Sequence, residues 1–335
     1  MRKFALTLVA AGLISAAASL AMAQTKEVTI AYQDMMNPWR VAMNAKELEK
    51  ATGWKINWRQ FGGGGDVIRA MASGDVKIGE AGSSPIATAI SQGIDVELFW
   101  ILEDIGDAEA LVVRNGSGIA APQDLKGKKI GVPFVSTTHF HLLFAMEQFG
   151  LKGTDAQVLN MRPPEIAAAW ERGDLDATFI WDPVLAKVKK NGKVLIASGL
   201  LSSWGKATFD GLIVDKKFAK GNPDFMVAMV KLLATYDAMY LKNKAAWTVS
   251  SPEIQAVAKV SGAKPEDVPE GMALYGFPTL AEQASPAWLG GGKDGGAARA
   301  LKFTSDFLKE QGRIQAVLPD YGVAVNPEWV KRAMK

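Results

Sequence analysis

The chain has 335 residues, a formal net charge of +3 at pH 7, two histidines and no cysteine. The lack of cysteine excludes disulfides, iron–sulfur clusters, thiolate zinc sites and a lipid anchor on an N-terminal cysteine. A nearly neutral charge gives little attraction to nucleic acid or to an anionic membrane surface, so neither is an expected partner.

The N-terminal segment 1–23 has the layout of a secretory signal. Arg2 and Lys3 precede an uncharged stretch that ends in Ala21-Met22-Ala23, which gives a basic start, an apolar middle and a small-x-small cleavage site. An uncleaved membrane anchor is the alternative, because about 20 uncharged residues can cross a bilayer. Alanine and serine crowd the segment and no basic cluster follows it. We therefore predict a signal peptide cleaved after Ala23 and an exported protein.

The mature chain begins with alternating strand and helix patterns. In order they are "KEVTIAYQ", "WRVAMNAKELEKATG", "WKINWRQF" and, after the glycine run 62–65, "DVIRAMASG". This alternation is typical of an α/β sheet covered by helices. The glycine run lacks the Gly-Lys-Ser/Thr of a phosphate-binding loop, so it is either a flexible turn or a close backbone approach to a ligand.

A weak internal repeat indicates two similar lobes. The segment "RAMASGDVKIGEAGSSP" (69–85) is echoed by "AAWERGDLDATFIWDP" (168–183), each with a helix end, Gly-Asp, a short strand and a turn closed by proline. The alternative is that Gly-Asp turns are simply common between helices and strands. If the repeat is real, two α/β lobes face a common crevice, which is a natural ligand cleft.

The C-terminal third contains more helix than one lobe can use. After the strand pattern "GLIVDKKF", helical patterns run over 223–244, 252–260 and 297–311. We therefore expect the chain to return to the first lobe near Gly211. The predicted division is residues 24–112 with 211–335 for lobe 1, and residues 113–210 for lobe 2.

Hydroxyl side chains stand at two predicted helix starts. Ser83 and Ser84 follow one strand, and the run Ser136, Thr137 and Thr138 follows another in the second lobe. Hydroxyls and free N–H groups at a helix N-terminus bind an anion without arginine or lysine. A plain helix cap is the alternative for a single serine, but two such sites on opposing lobes could hold one anion.

The two histidines do not predict a metal. A zinc site needs three or four ligands, and the other candidates are scattered carboxylates. His139 and His141 are two residues apart in a predicted helix, so their side chains point about 200° apart. His139 lies in the first helical turn and can donate to an anion, whereas His141 packs or faces solvent.

Carboxylates near apolar strands indicate that the ligand also carries a positive charge. Glu109, Asp182 and Asp210 each stand beside a predicted strand, where an unpaired charge is costly. Trp181 and Trp204 could form walls that attract an ammonium group by cation–π interaction, or they could be core residues. The ligand predicted from these residues has one anionic and one cationic end.

Gln33, at the end of the first strand, is a further polar candidate. No catalytic arrangement is visible, because the chain has neither a thiol nor a Gly-x-Ser-x-Gly motif, and a serine triad would depend on one of the two histidines. We therefore expect a binding protein and not an enzyme.

Several segments together resemble one known family. They include "RAMASGDVKIGEAGSSP", "GKKIGVPFVSTTH" and "PPEIAAAWERGDLDATFIWDP", and the similarity extends over essentially the whole mature chain. The sequence resembles the periplasmic taurine-, sulfonate- and nitrate-binding proteins of bacterial ATP-driven importers. The resemblance implies a type II periplasmic binding protein fold, in which two α/β lobes joined by two crossovers close on the ligand at a hinge.

The resemblance also implies roles for individual residues. It assigns the sulfonate of taurine to Ser83, Ser84, Thr137, Thr138 and His139, the ammonium to Glu109 and Asp210, and the remaining walls to Gln33 and Trp181. It further implies a monomer in the periplasm that delivers taurine to an inner-membrane permease, without cofactor or metal.

Two departures from the family pattern leave the length and amine substitution of the ligand open. They are Trp39, in the bulky segment "DMMNPWR", and Asp182, where a small residue can stand. Other ligands on the same fold are an alkanesulfonate, nitrate or a pyrimidine. An enzyme of thiamine-precursor synthesis is a further alternative, which the missing cysteine and the secretion signal disfavour.

Overall fold

The computed structural model describes residues 26–335, so the predicted signal peptide lies outside the described residues. Within this range the strands form two five-stranded mixed sheets. The first sheet has the order β2-β1-β3-β10-β4. Its strands are β1 (Glu27–Tyr32), β2 (Lys55–Gln60), β3 (Ile78–Gly82), β4 (Val96–Asp104) and β10 (Phe209–Asp215).

The second sheet repeats this arrangement, with the order β7-β6-β8-β5-β9. Its strands are β5 (Glu109–Arg114), β6 (Lys129–Val132), β7 (Gln157–Asn160), β8 (Ala177–Trp181) and β9 (Gly192–Ala197). In each sheet the first three strands of this order are parallel to one another. The fourth strand pairs antiparallel with both of its neighbours, the third and the fifth strands. The two segments of the weak repeat end in β3 and β8, which take the same central position in their sheets.

Helices cover both faces of both sheets. The helices that follow lobe 1 strands are α1 (Arg40–Ala45), α2 (Glu47–Thr52), α3 (Gly64–Ala72), α4 (Ser83–Ser91), α9 (Lys216–Gly221), α10 (Pro223–Lys242), α11 (Pro252–Ser261), α12 (Val268–Ala273), α13 (Leu280–Ala284), α14 (Gly296–Glu310) and α15 (Glu328–Ala333). Lobe 2 carries α5 (Thr137–Gln148), α6 (Pro163–Arg172), α7 (Val184–Lys189) and α8 (Ser198–Leu201). No helix in residues 26–335 is both long and apolar enough to cross a membrane.

The lobe boundaries differ from those predicted. β5 and β10 contain the predicted boundaries 112/113 and 210/211, yet β5 pairs with β8 and β9, and β10 pairs with β3 and β4. The crossovers are therefore residues 105–108 and 198–208. A short apolar run in the sequence does not tell which sheet it will join, which is why the predicted boundaries fall inside these strands, four residues into β5 and two residues into β10.

The burial pattern of β5 explains its place in the second sheet. Leu111 and Val113 pack into the apolar core beneath α5, while Ala110 and Val112 pack into the core beneath α6 and α7. Alternate residues of a strand point to opposite faces, so β5 contributes to both cores of lobe 2. This double burial fixes the strand to lobe 2.

Helix α14 connects the lobes near the crossovers. Its N-terminal half packs in the lobe 1 core, but Phe307 is part of the lobe 2 core and lies edge-on to Phe140 and Phe144 of α5. Gln311 also donates a hydrogen bond to Glu147 of α5, 3.1 Å away. The C-terminal part of the chain is thus a third contact between lobes.

Candidate functional site

A small cavity lies between the two sheets, at the strand ends that the lobes turn toward each other. It contains about 290 Å³ of space between atoms, of which the centre of a water molecule can reach about 10 Å³. The reachable volume is about that of one water molecule, so the cavity is nearly closed between the lobes and suits only a small ligand. Its walls are formed by Gln33, Met35, Gly64, Gly82, Pro85, Glu109, Ser136, Thr137, Trp181, Asp210 and Tyr275.

Three helices begin at the cavity wall. Gly64 is the first residue of α3, Pro85 lies in the first turn of α4, and Thr137 is the first residue of α5. The N–H groups of a first helical turn have no acceptor within the helix and carry the positive end of the helix dipole. Three such ends around one cavity form an anion-binding side.

The four predicted hydroxyls take different positions. Thr137 lines the cavity, and its Oγ1 donates to Oε1 of Glu109. Ser83, Ser84 and Thr138 are buried but do not line the cavity. The N–H of Phe209 donates to Ser83 Oγ over 3.4 Å.

The two remaining predicted hydroxyls also differ from each other. Thr138 Oγ1 pairs with Oγ of Ser136 at 2.8 Å. Ser84 Oγ has no hydrogen-bond partner in the part of the chain that the structure describes. Only Thr137 of these four residues therefore reaches the wall, while Ser136, the N-cap of α5 and the first hydroxyl of the same run, also reaches it.

His139 is buried beside the cavity and does not line it. Its ring stacks on Phe134 at 4.3 Å between centroids, and within residues 26–335 its Nε2 has no hydrogen-bond partner. Burial, and then the positive charge of Arg313, lower the pKa of His139 to about 4, so the ring is neutral near pH 7. His141 packs inside lobe 2 and bonds Ser198 Oγ at 2.9 Å and the Lys206 carbonyl at 2.8 Å.

The cavity also has an acidic side, formed by the predicted residues Glu109 and Asp210. Both are buried, and among residues 26–335 the Glu109 carboxylate is reached, besides Thr137, only by a long contact of 3.5 Å from Ser198 Oγ. Burial raises the pKa of Glu109 to about 8. Burial, and then the nearby charges of Glu109 and Glu80, raise the pKa of Asp210 well above its usual range. A cation placed here would relieve this repulsion.

Glu103 enlarges the acidic side and was missed by the sequence analysis. It pairs with Asp210 across β4 and β10, is fully buried, and has one carboxylate oxygen without a partner in the described range. Burial, and then Asp210 and Glu80, raise its pKa well above the usual value. A charge at the end of the apolar run "VELFWILED" was the signal that could have revealed it.

Tyr275 is the second residue that was missed. It is buried, lines the cavity, and its hydroxyl has no hydrogen-bond partner among residues 26–335. Tyr275 follows α12 in a segment without regular structure, far from the sequence motifs, and no local pattern marks it. A free hydroxyl beside buried carboxylates gives the site one more polar group for a ligand.

Gln33 is held in place by a buried ion pair. Arg40 Nη2 lies 2.5 Å from Glu80 Oε1, and both side chains are fully buried. Arg40 also donates to the carbonyls of Gln33 and Met35, at 3.2 and 3.0 Å. The Gln33 side chain in turn donates to the Glu80 carbonyl at 3.1 Å. The ion pair thus shapes the loop after β1 that carries two cavity residues.

Trp181 lines the cavity and also forms a hydrogen bond between the two lobes. Its Nε1 in lobe 2 donates to Oδ1 of Asp34 in lobe 1 over 2.8 Å. A second cross-lobe contact joins Lys189 to Glu270 at 3.0 Å. These contacts hold the lobes together around the cavity.

Three residues considered in the sequence analysis lie elsewhere. Trp39 is buried in the lobe 1 core, edge-on to Trp58. Asp182 is buried outside the cavity wall and accepts from the Ala186 N–H at 2.7 Å. Trp204, which could have been a wall, is 42% exposed and packs on lobe 2 phenylalanines.

The glycine run lies where the lobes meet. A Cβ atom on Gly65 would lie 3.3 Å from Cβ of Val135, and one on Gly62 would lie 3.1 Å from Cδ of Arg162. Gly64 alone among them lines the cavity, next to Pro85. The close approach that the sequence suggested is therefore mainly an approach of lobe 2, with a ligand surface at a single glycine.

Comparison with known proteins supplies the family. Residues 26–264 match the family described as the substrate binding domain of the ABC-type glycine betaine transport system. The taurine-binding periplasmic protein of Escherichia coli K12 is 39% identical over 95% of this chain and 98% of its own length.

Solved structures share the fold. The alkanesulfonate-binding protein SsuA from Xanthomonas axonopodis pv. citri, bound to MOPS, superimposes with a TM-score of 0.73 at 23% identity, over 91% of this chain and 98% of that one. The desulfurization enzyme DSZB superimposes with a TM-score of 0.62 at 15% identity, over 92% of this chain and 99% of that one. The two-lobe fold, the family match and the full-length relative agree: the chain belongs to the substrate-binding proteins of ABC transport systems.

Proposed function

We propose that this protein captures taurine in the periplasm and delivers it to an inner-membrane permease. One observation carries the proposal: a single small cavity has three helix N-termini on one side and buried carboxylates on the other. Taurine is a short molecule with a sulfonate at one end and an ammonium at the other. The relative from Escherichia coli, which is named for taurine, supports the same ligand.

The sulfonate is proposed to lie against the first turns of α3, α4 and α5. Free N–H groups there donate to its oxygens, and Ser136 and Thr137 are the nearest hydroxyls. Ser83, Ser84, Thr138 and His139 support these turns from behind. A direct contact from Ser84 or His139 requires only that a free buried group turn toward the ligand, since neither Ser84 Oγ nor His139 Nε2 has a partner within residues 26–335.

The ammonium is proposed to lie between Glu109 and Asp210, with Trp181 and Gln33 as walls. Its N–H groups would donate to both carboxylates, because in the absence of ligand these carboxylates accept few hydrogen bonds from the protein. Glu103 and Tyr275 border this end of the site. A charge-assisted hydrogen bond in a buried site contributes more than a neutral one, so the ammonium end governs ligand choice.

The acidic side disfavours the alternative ligands. An alkanesulfonate or nitrate leaves Glu109 and Asp210 without a cation, and a pyrimidine offers no full positive charge. A quaternary ammonium has no N–H to donate to them. An enzyme is the remaining alternative, and we propose a binding role because neither histidine lines the cavity, and the Ser198 hydroxyl that meets His141 at 2.9 Å also lies off the cavity wall. We further propose export with cleavage after Ala23 and a monomeric, cofactor-free protein.

A thermal-shift panel tests the proposed function. Taurine, ethanesulfonate, nitrate and glycine betaine are added separately to the purified mature protein, because a ligand that binds only the folded state raises its melting temperature. Taurine is expected to give the largest rise and to be recovered unchanged. A larger rise with ethanesulfonate or nitrate, or chemical conversion of taurine, would contradict the proposal.

Taurine binding is expected to release protons near neutral pH. Without ligand, Glu109 has a pKa of about 8 and is mostly protonated at pH 7, and Asp210 and Glu103 are shifted in the same direction. An adjacent ammonium favours the ionised carboxylate, so affinity should rise between about pH 6 and pH 8, by up to about tenfold per unit for each proton released. Calorimetry in buffers of different ionisation enthalpy measures the release. Heats that do not depend on the buffer would contradict this prediction.

Gly82→Ala is expected to hinder closure of the cleft. A Cβ atom there would lie 2.7 Å from Cγ2 of Thr137 in the opposite lobe, which is closer than carbon atoms can pack. Overpacking of this kind costs about 1 to 3 kcal/mol, so taurine affinity should fall between about fivefold and 150-fold. Gly63→Ala is the matched control, because no atom lies within 4 Å of a Cβ there. Calorimetric titration of both variants measures the effect, and equal affinities would refute it.

A further inference from the structure

A second pocket lies behind the ligand cavity, at the hinge. It is lined by the second crossover from Gly205 to Phe209, by Phe140 of α5 in lobe 2, and by Trp288 and part of α14 in lobe 1. The centre of a water molecule can reach about 250 Å³ of this pocket, compared with about 10 Å³ of the ligand cavity. Its walls therefore come from both lobes and from the segment that joins them.

The floor of this hinge pocket is aromatic. Phe209 lies edge-on to Trp288 at 6.1 Å between ring centroids, and Phe140 packs at the lobe 2 side. Phe303 of α14 also lines the pocket although its side chain is 50% exposed. An exposed aromatic ring beside a partly covered apolar floor is typical of a binding surface.

Two cations stand at the pocket and no acidic residue of the described chain lines it. The Lys206 ammonium lies over the rings of Phe144 and Phe303, at 5.4 and 5.9 Å from their centroids. The Arg299 guanidinium donates to the backbone carbonyl of Asp294 and is otherwise exposed. Within residues 26–335 neither cation has a carboxylate partner, so the pocket combines an apolar floor with uncompensated positive charge.

We propose that the hinge pocket binds an amphipathic anion, a carboxylate or sulfonate on an aromatic or similarly bulky apolar body. The apolar body would cover Phe209, Trp288 and Phe303, and the anionic group would pair with Lys206 and Arg299. Taurine lacks an apolar body of this size, so this ligand class differs from that of the cavity. The site is independent of the proposed function, because it shares no lining residue with the cavity.

The test uses 2-naphthoate as the probe, titrated by calorimetry into the mature protein with saturating taurine and again without it. One equivalent of probe is expected to bind in both conditions. The uncharged 2-naphthamide should bind at least about tenfold more weakly, because it cannot pair with the two cations. If taurine itself fails to bind, the proposed function fails, but the titration without taurine still decides whether the hinge pocket binds the probe.

Two variants locate the probe. The double variant Lys206→Gln with Arg299→Gln should lower naphthoate affinity at least about tenfold. The matched control is Lys217→Gln with Lys220→Gln on α9, which makes the same change in net charge at exposed positions and should leave the affinity unchanged. Ala300→Trp, which fills the pocket without a change in charge, should also weaken binding.

The outcomes are separated by simple controls. The melting temperature and taurine affinity of each variant show that it is folded. No binding of naphthoate to the unmodified protein at millimolar concentration would overturn the proposal. Equal affinity of all variants, or displacement of naphthoate by taurine, would overturn it as well.

Discussion

Replacing Asp210 by asparagine is expected to lower the affinity for taurine by at least about tenfold, because the buried ammonium loses one of its two charged acceptors. Removing one partner of a buried charged contact typically costs about 2 to 5 kcal/mol, and about 1.4 kcal/mol corresponds to a factor of ten. Asp210 is buried in β10, opposite Gly82 of β3, where water cannot replace the lost contact. Calorimetric titration measures the change.

Ethanesulfonate provides the control for Asp210→Asn, since it has the sulfonate and lacks the amine. Its affinity should change little, because ethanesulfonate brings no ammonium that Asp210 could accept hydrogen bonds from. The unliganded variant is also expected to be no less stable, since the raised pKa of Asp210 reflects the cost of burying its charge. Equal losses for both ligands would contradict the assignment of Asp210 to the ammonium.

Replacing Arg40 by methionine is expected to lower the free energy of unfolding by about 3 to 5 kcal/mol, because Glu80 is left as an unpaired buried carboxylate. The ion pair at 2.5 Å is fully shielded from solvent, and the guanidinium also holds the carbonyls of Gln33 and Met35. Urea unfolding followed by circular dichroism measures the change. Taurine affinity should fall as well, because these two residues form part of the cavity wall.

Lys55→Met is the matched control for Arg40→Met. Lys55 forms an ion pair with Glu27 at 3.2 Å, but both side chains are largely exposed. Exposed pairs contribute little to stability, so this variant should unfold at nearly the same urea concentration as the original protein. If both variants lost the same stability, the buried pair would not be the source of the effect.

For the proposed anion side of the site, the sequence predicted the helix N-termini but not which of their side chains line the cavity. Serine or threonine after a strand and before a helical pattern indicates a helix N-terminus, and α4 and α5 do begin at Ser83 and Thr137. The sequence does not tell which way each side chain turns, because consecutive residues of a first turn point in different directions. Thr138 therefore turned out to lie behind the wall while Ser136 lines it.

The acidic side shows a similar division. Glu109 and Asp210 could be predicted because an unpaired charge beside an apolar strand is costly and therefore indicates a functional role. Glu103 stands in the same kind of sequence, within β4. Its proximity to Asp210 depends on the pairing of β4 with β10, which are far apart in the sequence. Tyr275 had no signal, because the loop after α12 reaches the cavity only through tertiary packing.

The fold itself followed from pattern and repeat, whereas the lobe boundaries did not. Alternating strands and helices and the echo of β3 in β8 predict two α/β lobes. The assignment of β5 needed the sheets themselves, since it is a short apolar run that either lobe could accept, whereas the predicted return to lobe 1 near Gly211 falls within β10. The two histidines, the rarest side chains of the chain after cysteine, are both buried, and burial lowers the pKa of each ring to about 4.

A crystal structure with bound taurine tests the central claim most directly. We expect the sulfonate against the first turns of α3, α4 and α5, and the ammonium nitrogen within hydrogen-bond distance of Glu109 and Asp210. A taurine molecule in the reverse orientation, with its nitrogen remote from both carboxylates, or one bound outside this cavity, would contradict it.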